Sequence, residues 1–282
     1  MTEKLYVEAA KKKYILDVIR KFGADDVGVC TIEKIGRIPC RAERLIPEEA
    51  RSLVVAVFGY YSGDYPERNV AKYAIPDDYH EIVRNRLEAA VETLKEAFPE
   101  EKFAVFCDVS PFCETQAAQQ AGLGVIGKNG LLINPKVGLY HFIGEIATTL
   151  SIEPDEGKEE SCIGCGKCLN ACPTGAVKKK DKSICLSAIT QRKGELTAEE
   201  QRLIAESGMV WGCDLCMDIC PMNHKKLTEI AEFRRNLEPV VTPEKVSGLL
   251  KQKAWGYRGR AVMERNLAVV NGKNTGNDPH DL

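Results

Sequence analysis

Eight cysteines between Cys162 and Cys220 constrain this chain more than any other feature. The first four have the spacing C-x2-C-x2-C-x3-C and are followed by Pro173, and a later run, C-D-L-C-M-D-I-C-P, ends at Pro221. This spacing is typical of ferredoxins with two [4Fe–4S] clusters, in which three closely spaced thiolates bind one cluster and the fourth binds the other. We therefore predict two clusters, which together need eight cysteines.

The crossover of the fourth cysteine assigns each ligand. Cluster 1 is assigned to Cys162, Cys165, Cys168 and Cys220, and cluster 2 to Cys172, Cys185, Cys213 and Cys216. Zinc is the alternative, since C-x2-C pairs also form four-cysteine zinc sites, but a zinc site does not use a cysteine that crosses to a second site. The N-terminus shows no secretory apolar segment, so reduced thiols and a cytoplasmic location are expected.

Length and composition are those of an ordinary globular protein. The chain has 282 residues, 44% hydrophobic and 28% charged, and a formal net charge of −2. No apolar run has the length of a membrane span, and the charge argues against a strongly basic nucleic-acid binder. We predict a first domain over 1–152, a cluster domain over 153–228 and a short helical segment over 229–282. No membrane partner is expected, and the protein is expected to be a monomer.

Apolar segments of strand length alternate with helical patterns in the first half of the chain. Strands are predicted at 27–30, 51–60, 103–107, 131–134 and 139–150, and helices at 6–22, 78–98 and 111–122. This alternation predicts an α/β sandwich around one sheet, with 51–60 as a central strand buried on both faces. Further helices are predicted from Thr242-Pro243 and over 259–271, followed by a frayed tail from Gly272.

Two motifs in the first half lack the context that their usual function needs. Gly122-Leu-Gly124-Val-Ile-Gly127 matches the dinucleotide fingerprint, but it follows a helix and precedes a strand, which is the reverse of the required order. Asp78-Tyr79-His80 begins like the D-x-H-x-x-G motif of proteins that bind cobalamin through a histidine. Val83 stands where that motif has glycine, so a bond from His80 to cobalt is not expected.

Several stretches together resemble the epoxyqueuosine reductase family, cobalamin and iron–sulfur enzymes of tRNA queuosine synthesis that are related to reductive dehalogenases. Y-A-I-P-D-D-Y-H ends at His80, and D-V-S-P-F-C-E runs from Asp108 to Glu114. A-G-L-G-V-I-G-K-N ends at Asn129, and the eight cysteines follow. The resemblance covers about residues 20–225, and the first three stretches make it more specific than the cysteines alone.

The resemblance implies an α+β fold in which a nitroreductase-like α/β sandwich binds base-off cobalamin beside a ferredoxin-like domain. Asp108 matches the family's proton donor. Seven residues match segments that contact the cofactor: Tyr79, His80, Lys128, Asn129, Leu132, Asn134 and Ser187. Relatives usually continue into helical repeats that help to hold tRNA. This chain is expected to lack most of them, which leaves tRNA as a candidate partner.

Asp108 has two interpretations. It follows the apolar run F-A-V-F-C, where burial would raise the pKa of a carboxyl and keep it protonated near neutral pH, as a general acid requires. Asp at a strand-to-helix turn is also a common helix N-cap, here for the helix predicted at 111–122. The family resemblance favours the acid, and Glu114 is expected to be structural.

Three functions follow from these observations. The first is reduction of epoxyqueuosine to queuosine in tRNA, with electrons passed from a ferredoxin or flavodoxin through two clusters to cobalamin. The second is a cobalamin-dependent reductase of a small molecule, as in reductive dehalogenases. The third is a two-cluster electron carrier without catalysis, although a carrier has no need of the first 150 residues.

Overall fold

This computed structural model describes residues 3–157 and 161–272, which divide into two compact units built from non-consecutive segments. We call the first the sheet unit; it comprises Met1–Tyr61, Tyr79–Gly164 and Met222–Ile230. The second, the cysteine unit, comprises Ser62–Asp78, Cys165–Pro221 and Ala231–Leu282. These boundaries differ from the continuous domains predicted at 1–152, 153–228 and 229–282, since each unit takes a segment from within the other's range. The tail predicted from Gly272 lies almost wholly outside the described residues.

The sheet unit contains the strands and helices that the apolar pattern predicted. Its elements are α1 (Glu3–Lys21), β1 (Asp26–Thr31), β2 (Ser52–Gly59), α2 (Tyr79–Ala97), β3 (Phe103–Cys107), α3 (Glu114–Gln120), β4 (Val125–Ile126), β5 (Leu132–Ile133) and β6 (His141–Thr148). The main sheet has the order β1-β2-β6-β3, and every neighbouring pair is antiparallel. Every residue of β2 is buried, which confirms the predicted central strand. A separate hairpin pairs β4 with β5.

Helices cover both faces of this sheet, and two glycines show how closely they approach. A Cβ atom added to Gly144 of β6 would lie 2.5 Å from Leu87 and 3.1 Å from Val83, both on α2. A Cβ atom added to Gly28 of β1 would lie 2.1 Å from the Ala121 carbonyl oxygen, beyond the end of α3. In the strand register these two glycines are on opposite faces. Val83 is therefore a core residue, which explains why the histidine-ligand motif is incomplete there.

The cysteine unit is built from short helices around a second core. Its helices are α4 (Lys167–Ala171), α5 (Ala176–Lys179), α6 (Leu186–Gln191), α7 (Ala198–Ser207), α8 (Leu215–Asp218), α9 (Pro243–Leu249) and α10 (Arg260–Val270). Trp211 and Trp255 are fully buried in the same apolar cluster as Val70 and Ile75. The segment Ser62–Asp78 thus contributes to this core. Helices α9 and α10 confirm the two predicted after Pro221, with Pro243 in the first turn. None of the helices in residues 3–157 and 161–272 has both the length and the apolar content to span a membrane.

Candidate functional site

Asp108 lies directly beyond the end of β3 in a conformation that few side chains adopt. Its φ angle is 63°, in the left-handed region, where most residues other than glycine are disfavoured by about 1–2 kcal/mol and aspartate somewhat less. The Val109 amide donates to the Cys107 carbonyl at 2.8 Å, and the Ser110 amide donates to the Asp108 carbonyl at 3.2 Å. This tight turn directs the Asp108 carboxylate away from the strand.

The first two residues of α2 contact that carboxylate. The Tyr79 hydroxyl donates to Asp108 Oδ1 at 2.9 Å, and His80 Nε2 lies 3.2 Å from Oδ2. The Tyr79 ring stacks on Phe142 of β6, with 3.9 Å between centroids and an angle of 5° between planes. The His80 ring also stacks on the Tyr79 ring, with 4.0 Å between centroids. Strand end, helix start and β6 thus bring a carboxylate, an imidazole and a phenol together.

Two expectations about Asp108 need correction. Its side chain is 50% exposed, so burial, the predicted cause of a protonated carboxyl at neutral pH, is not present. The N-cap interpretation is also wrong, because α3 begins at Glu114 and its N-cap position is Cys113, whose side chain makes no capping hydrogen bond. Asp108 is instead held by hydrogen-bonding groups that can supply or receive a proton.

Lys128 and Asn129 lie in the turn between β4 and β5. Lys128 is exposed, and its Nζ donates to the Gly164 carbonyl at 3.1 Å. Asn129 Oδ1 accepts from the Leu131 amide at 3.3 Å, while Asn129 Nδ2 is buried and has no hydrogen-bond partner among the described residues. An unpaired buried donor is costly, so it marks a place where a ligand carbonyl would be stabilised. The carboxamide side chains of a corrin ring carry such carbonyl groups, so this turn fits the cofactor.

Leu132 and Asn134 were predicted to contact the same cofactor, and the structure shows both side chains buried. Asn134 is fully buried and its amide is saturated. Nδ2 donates to Asp26 and to the Leu123 carbonyl at 3.0 and 2.7 Å, and Oδ1 accepts from the amides of residues 136 and 137. Leu132 is 2% exposed and packs in the sheet-unit core. Both side chains thus pack within the sheet unit, and their contact with the cofactor stays a prediction.

Three of the four cysteines assigned to cluster 2 lie close together in the cysteine unit. Burial raises the pKa of Cys213 to about 11, and the neighbouring thiols of Cys185 and Cys172 contribute in the same direction. Burial also disfavours the Cys172 thiolate, but hydrogen bonds from the Val177, Thr174 and Ala176 amides and the Thr174 hydroxyl outweigh it and lower the pKa of Cys172. Backbone N–H groups directed at a sulfur are what a cluster ligand requires. These thiols therefore fit the predicted cluster.

The remaining cluster cysteines are placed by helix packing and by one contact. Helix α4, which carries Cys168, packs against α8, which carries Cys216. The Ile163 amide donates to Met222 Sδ at 3.4 Å, and these residues follow Cys162 and Cys220 in sequence by one and two positions. Among the described residues, no group of three or more His, Cys, Asp or Glu side chains is arranged to hold a single metal ion. The assignment of all eight cysteines stays a prediction.

Buried charges fix the loop that bears Cys213 and Cys216. The Lys72 amide donates to Asp214 Oδ2 at 2.7 Å, and Lys72 Nζ donates to Asp218 Oδ1 at 2.7 Å. Ser187, the last predicted cofactor contact, is the second residue of α6, and its hydroxyl accepts from Gln191 Nε2 at 3.1 Å. Ser187 is partly exposed, so its predicted role stays open.

Sequence reasoning did not identify Glu145, Ser110 or Phe142. Glu145 lies in β6 between Val55 of β2 and Phe106 of β3 and is fully buried. Its carboxylate accepts a hydrogen bond from the Ser110 hydroxyl. The available signal was an acidic residue inside the apolar segment H-F-I-G-E-I-A-T, which is unusual for a buried strand.

Comparisons with known proteins agree with this geometry. Residues 161–223 match the family model of a 4Fe-4S double cluster binding domain, and residues 40–109 match that of epoxyqueuosine reductase QueG. Epoxyqueuosine reductase from Synechocystis sp. is 34% identical over 211 residues, which cover 69% of this chain and 72% of that protein. The enzyme from Cyclobacterium marinum is 32% identical over 247 residues, covering 80% and 78%.

The fold also matches a crystal structure of epoxyqueuosine reductase with an epoxyqueuosine-modified tRNA-Tyr stem loop. The TM-score is 0.79 at 22% identity, and the match covers 94% of this chain and 82% of that one. This structural likeness supports the fold, while the two sequence relatives each exceed 30% identity over more than two thirds of their length. The chain belongs to the epoxyqueuosine reductase family.

Proposed function

We propose that this protein reduces epoxyqueuosine to queuosine in tRNA. The reaction removes the epoxide oxygen and leaves an alkene: the epoxide takes up two electrons and two protons, both C–O bonds break, and the oxygen leaves as water. The observation that carries the proposal is the Asp108 carboxylate, held at 2.9 Å by Tyr79 and at 3.2 Å from His80, in a chain whose family performs this chemistry. The reaction requires an electron source and a proton donor.

No side chain of the protein can supply the electrons, so cofactors must. We assign one cluster to Cys172, Cys185, Cys213 and Cys216, and the other to Cys162, Cys165, Cys168 and Cys220. Base-off cobalamin is assigned to the sheet unit, with Asn129 Nδ2 as a donor to a corrin carboxamide and Lys128 beside it. When bound, the clusters would supply single electrons, and cobalamin would supply a strongly reducing centre for cleavage of the C–O bond.

The proton for the departing epoxide oxygen comes from side chains of the protein itself. An imidazolium at His80 Nε2 can share its proton with Asp108 Oδ2, and the Tyr79 hydroxyl fixes the orientation of the carboxylate through Oδ1. Once Asp108 has accepted this proton, its half-exposed carboxyl group can donate it to the departing oxygen and then accept another from His80. The stacking of Tyr79 on Phe142 limits rotation of the phenol ring, so the hydrogen bond from the Tyr79 hydroxyl to Asp108 Oδ1 is already in place before substrate binds.

A small-molecule substrate remains the second candidate, because a proton donor with these contacts can act on another leaving group. An electron donor of the ferredoxin or flavodoxin class and a cytoplasmic location are part of the proposal. The known structure with a tRNA stem loop concerns a relative, and it motivates tRNA as the substrate carrier here.

The decisive experiment uses protein whose clusters and cobalamin have been reconstituted anaerobically. It is incubated with an epoxyqueuosine-containing anticodon stem loop and a chemical reductant, and the nucleosides are analysed by mass spectrometry. Formation of queuosine that requires both cobalamin and reductant supports the proposal. Full cofactor loading without queuosine, together with turnover of an aryl halide, would replace it with the small-molecule reductase. Failure to retain cobalamin would favour the electron carrier.

A further inference from the structure

Two buried carboxyl groups lie beneath the turn that presents Asp108, and the chemistry described above uses neither. Glu114 is the first residue of α3 and accepts a hydrogen bond from the Asp108 backbone amide. Glu145 accepts from the Ser110 hydroxyl, whose oxygen in turn accepts the Phe112 amide at 3.1 Å. Thus one carboxyl holds the start of the Asp108 turn and the other holds its end.

Among the described residues, no cation contributes to the pKa shifts of these two carboxyl groups. The groups that face Glu145 are Ser110, the Cys30 thiol from β1 and Glu114. The groups that face Glu114 are Glu145, Asp108 and Cys113. One oxygen of each carboxyl group, Oε1, is buried without a hydrogen-bond partner among the described residues. Two buried carboxylates side by side without a cation would repel strongly, so the pair must retain a proton.

The direction of both titrations agrees with this geometry. Burial raises the pKa of Glu145 to about 8, although the Ser110 hydroxyl opposes the shift. Burial, followed by the charges of Glu145 and Asp108, raises the pKa of Glu114, and the Asp108 amide opposes it. Burial and mutual repulsion therefore favour one retained proton on the pair while the turn is closed.

We propose that Glu114 is a positioning residue for the reaction assigned above. By accepting a hydrogen bond from the Asp108 amide, it maintains the left-handed turn that presents the Asp108 carboxylate to Tyr79 and His80. Glu145 stabilises this contact because the two carboxyl groups share one retained proton and so do not repel each other as two anions. The proposal rests on the proposed function for its catalytic consequence, but the hold on the turn is a property of the protein alone. Loss of the proton would place two like charges under the turn and favour its opening.

The linkage between proton binding and opening gives a measurable slope. The closed turn binds more protons than the open one between the ordinary glutamate pKa and the raised values, so the closed form is favoured at lower pH and weakened as pH rises. If one proton is released when the turn opens, the equilibrium constant for opening rises about tenfold for each unit of pH, and the protection of the turn amides from exchange falls by the same factor. For Glu145 this slope ends near its raised pKa of about 8.

Hydrogen exchange of a peptide covering residues 108–112, corrected for intrinsic rates, tests the hold without substrate or cofactor. In the wild type, protection should fall about tenfold per unit from pH 6 to 8. Glu114→Ala should lose tenfold or more at every pH, whereas Glu114→Gln, which still accepts the amide, should keep protection at pH 6. The double variant Glu114→Gln, Glu145→Gln should show no slope. Glu92→Gln, an exposed change on α2, is the matched control and should behave as the wild type.

Single-turnover reduction adds the catalytic readout. Glu114→Ala should slow the step at saturating substrate by tenfold or more, and Glu114→Gln should restore it. Protection of the wild type that does not change with pH, or a Glu114→Gln variant as unprotected as Glu114→Ala, would overturn the proposal. If Glu114→Ala does not fold, the wild-type slope and the double variant decide. Hydrogen exchange needs no substrate, so a protein that reduces no epoxide can still show that Glu114 stabilises the Asp108 turn. A failure of this inference is thereby distinguished from a failure of the proposed function.

Discussion

Two asparagines five positions apart were predicted to contact the same cofactor, and the structure gives them different hydrogen-bonding environments, whose effects substitution to alanine can measure. Asn134→Ala removes an amide that makes four hydrogen bonds in the sheet unit. Asn129→Ala removes an amide that makes one hydrogen bond, 3.3 Å from the Leu131 nitrogen, and has an unpaired donor. The side chains are identical, so the environment is the only variable.

The magnitudes follow from the groups left unpaired. Asn134→Ala leaves the Leu123 carbonyl and the Val137 amide without partners in a fully buried site, and each costs about 1–3 kcal/mol. Asp26 keeps its contact with Lys136 at 2.6 Å, which limits its share. We expect unfolding of the sheet unit to become easier by about 3–4 kcal/mol, a large part of a typical stability. Asn129→Ala should cost less than about 1 kcal/mol.

The assay must report on the correct unit. Both tryptophans of the chain, Trp211 and Trp255, lie in the cysteine unit, so tryptophan fluorescence does not monitor the sheet unit. Hydrogen exchange of β2, in the centre of the sheet, gives the local free energy directly. Cobalamin retained per folded molecule is measured in parallel and should fall for Asn129→Ala but not for Asn134→Ala.

Two results would refute this reasoning. One is an Asn134→Ala variant whose β2 exchange stays within about 1 kcal/mol of the wild type, since the four hydrogen bonds would then have no net value. The other is an Asn134→Ala variant that keeps its stability but loses cobalamin, which would restore the cofactor role inferred from the family resemblance.

Three further outcomes are expected. Asp108→Asn retains a side chain that tolerates the left-handed turn and still accepts from Tyr79, so folding and cofactors should persist while single-turnover reduction falls about 10²–10⁴-fold; full activity would remove Asp108 from the mechanism. Anaerobic protein should contain about eight irons per chain, and Cys220→Ser should damage cluster 1; stoichiometric zinc, or damage to cluster 2 alone, would contradict the ligand assignment. Burial lowers the pKa of His141 from 6.5 to about 4, so the unfolded chain binds more protons than the folded one between these two values. The free energy of unfolding should therefore rise with pH by about 3 kcal/mol across that range. In urea titrations His141→Gln should weaken this pH dependence, and an unchanged dependence would assign it to other groups.

The sequence predicted the strands and the long helices well, because each has a strong local pattern. Residues 53–58 form a continuous apolar run, and the structure places them in the central strand β2. Asp108 was identified by its position after a strand together with its motif. Its contacts with Tyr79 and His80 depend on where α2 starts relative to the end of β3, which no local pattern encodes.

The sequence could not show what tertiary packing decides. Leu132 and Asn134 belong to a motif that matches the family, yet a motif does not distinguish a residue that contacts a ligand from one that supports the turn beside it. Glu145 was missed because an acid in an apolar strand is assigned to the exposed face by default, and only the sheet register places it against the core. Helices α4, α5, α6 and α8 have four to six residues each and are too short to show a helical period.

Each unit is built from non-consecutive segments of the chain, and this affects where the chain can be cut and when each unit can fold during synthesis. A cut between residues 152 and 153, where the sequence suggests a boundary, would deprive the sheet unit of Met222–Ile230 and leave Ser62–Asp78 with the wrong fragment. The Leu139 amide donates to Asn223 Oδ1 at 2.7 Å, and Lys226 pairs with Asp25 at 2.8 Å, so the late segment is attached at more than one point. During synthesis the sheet unit cannot complete these contacts until the cysteine run has been translated. The cysteines predicted to bind the clusters are therefore present in the nascent chain before the last segment of the sheet unit has been made.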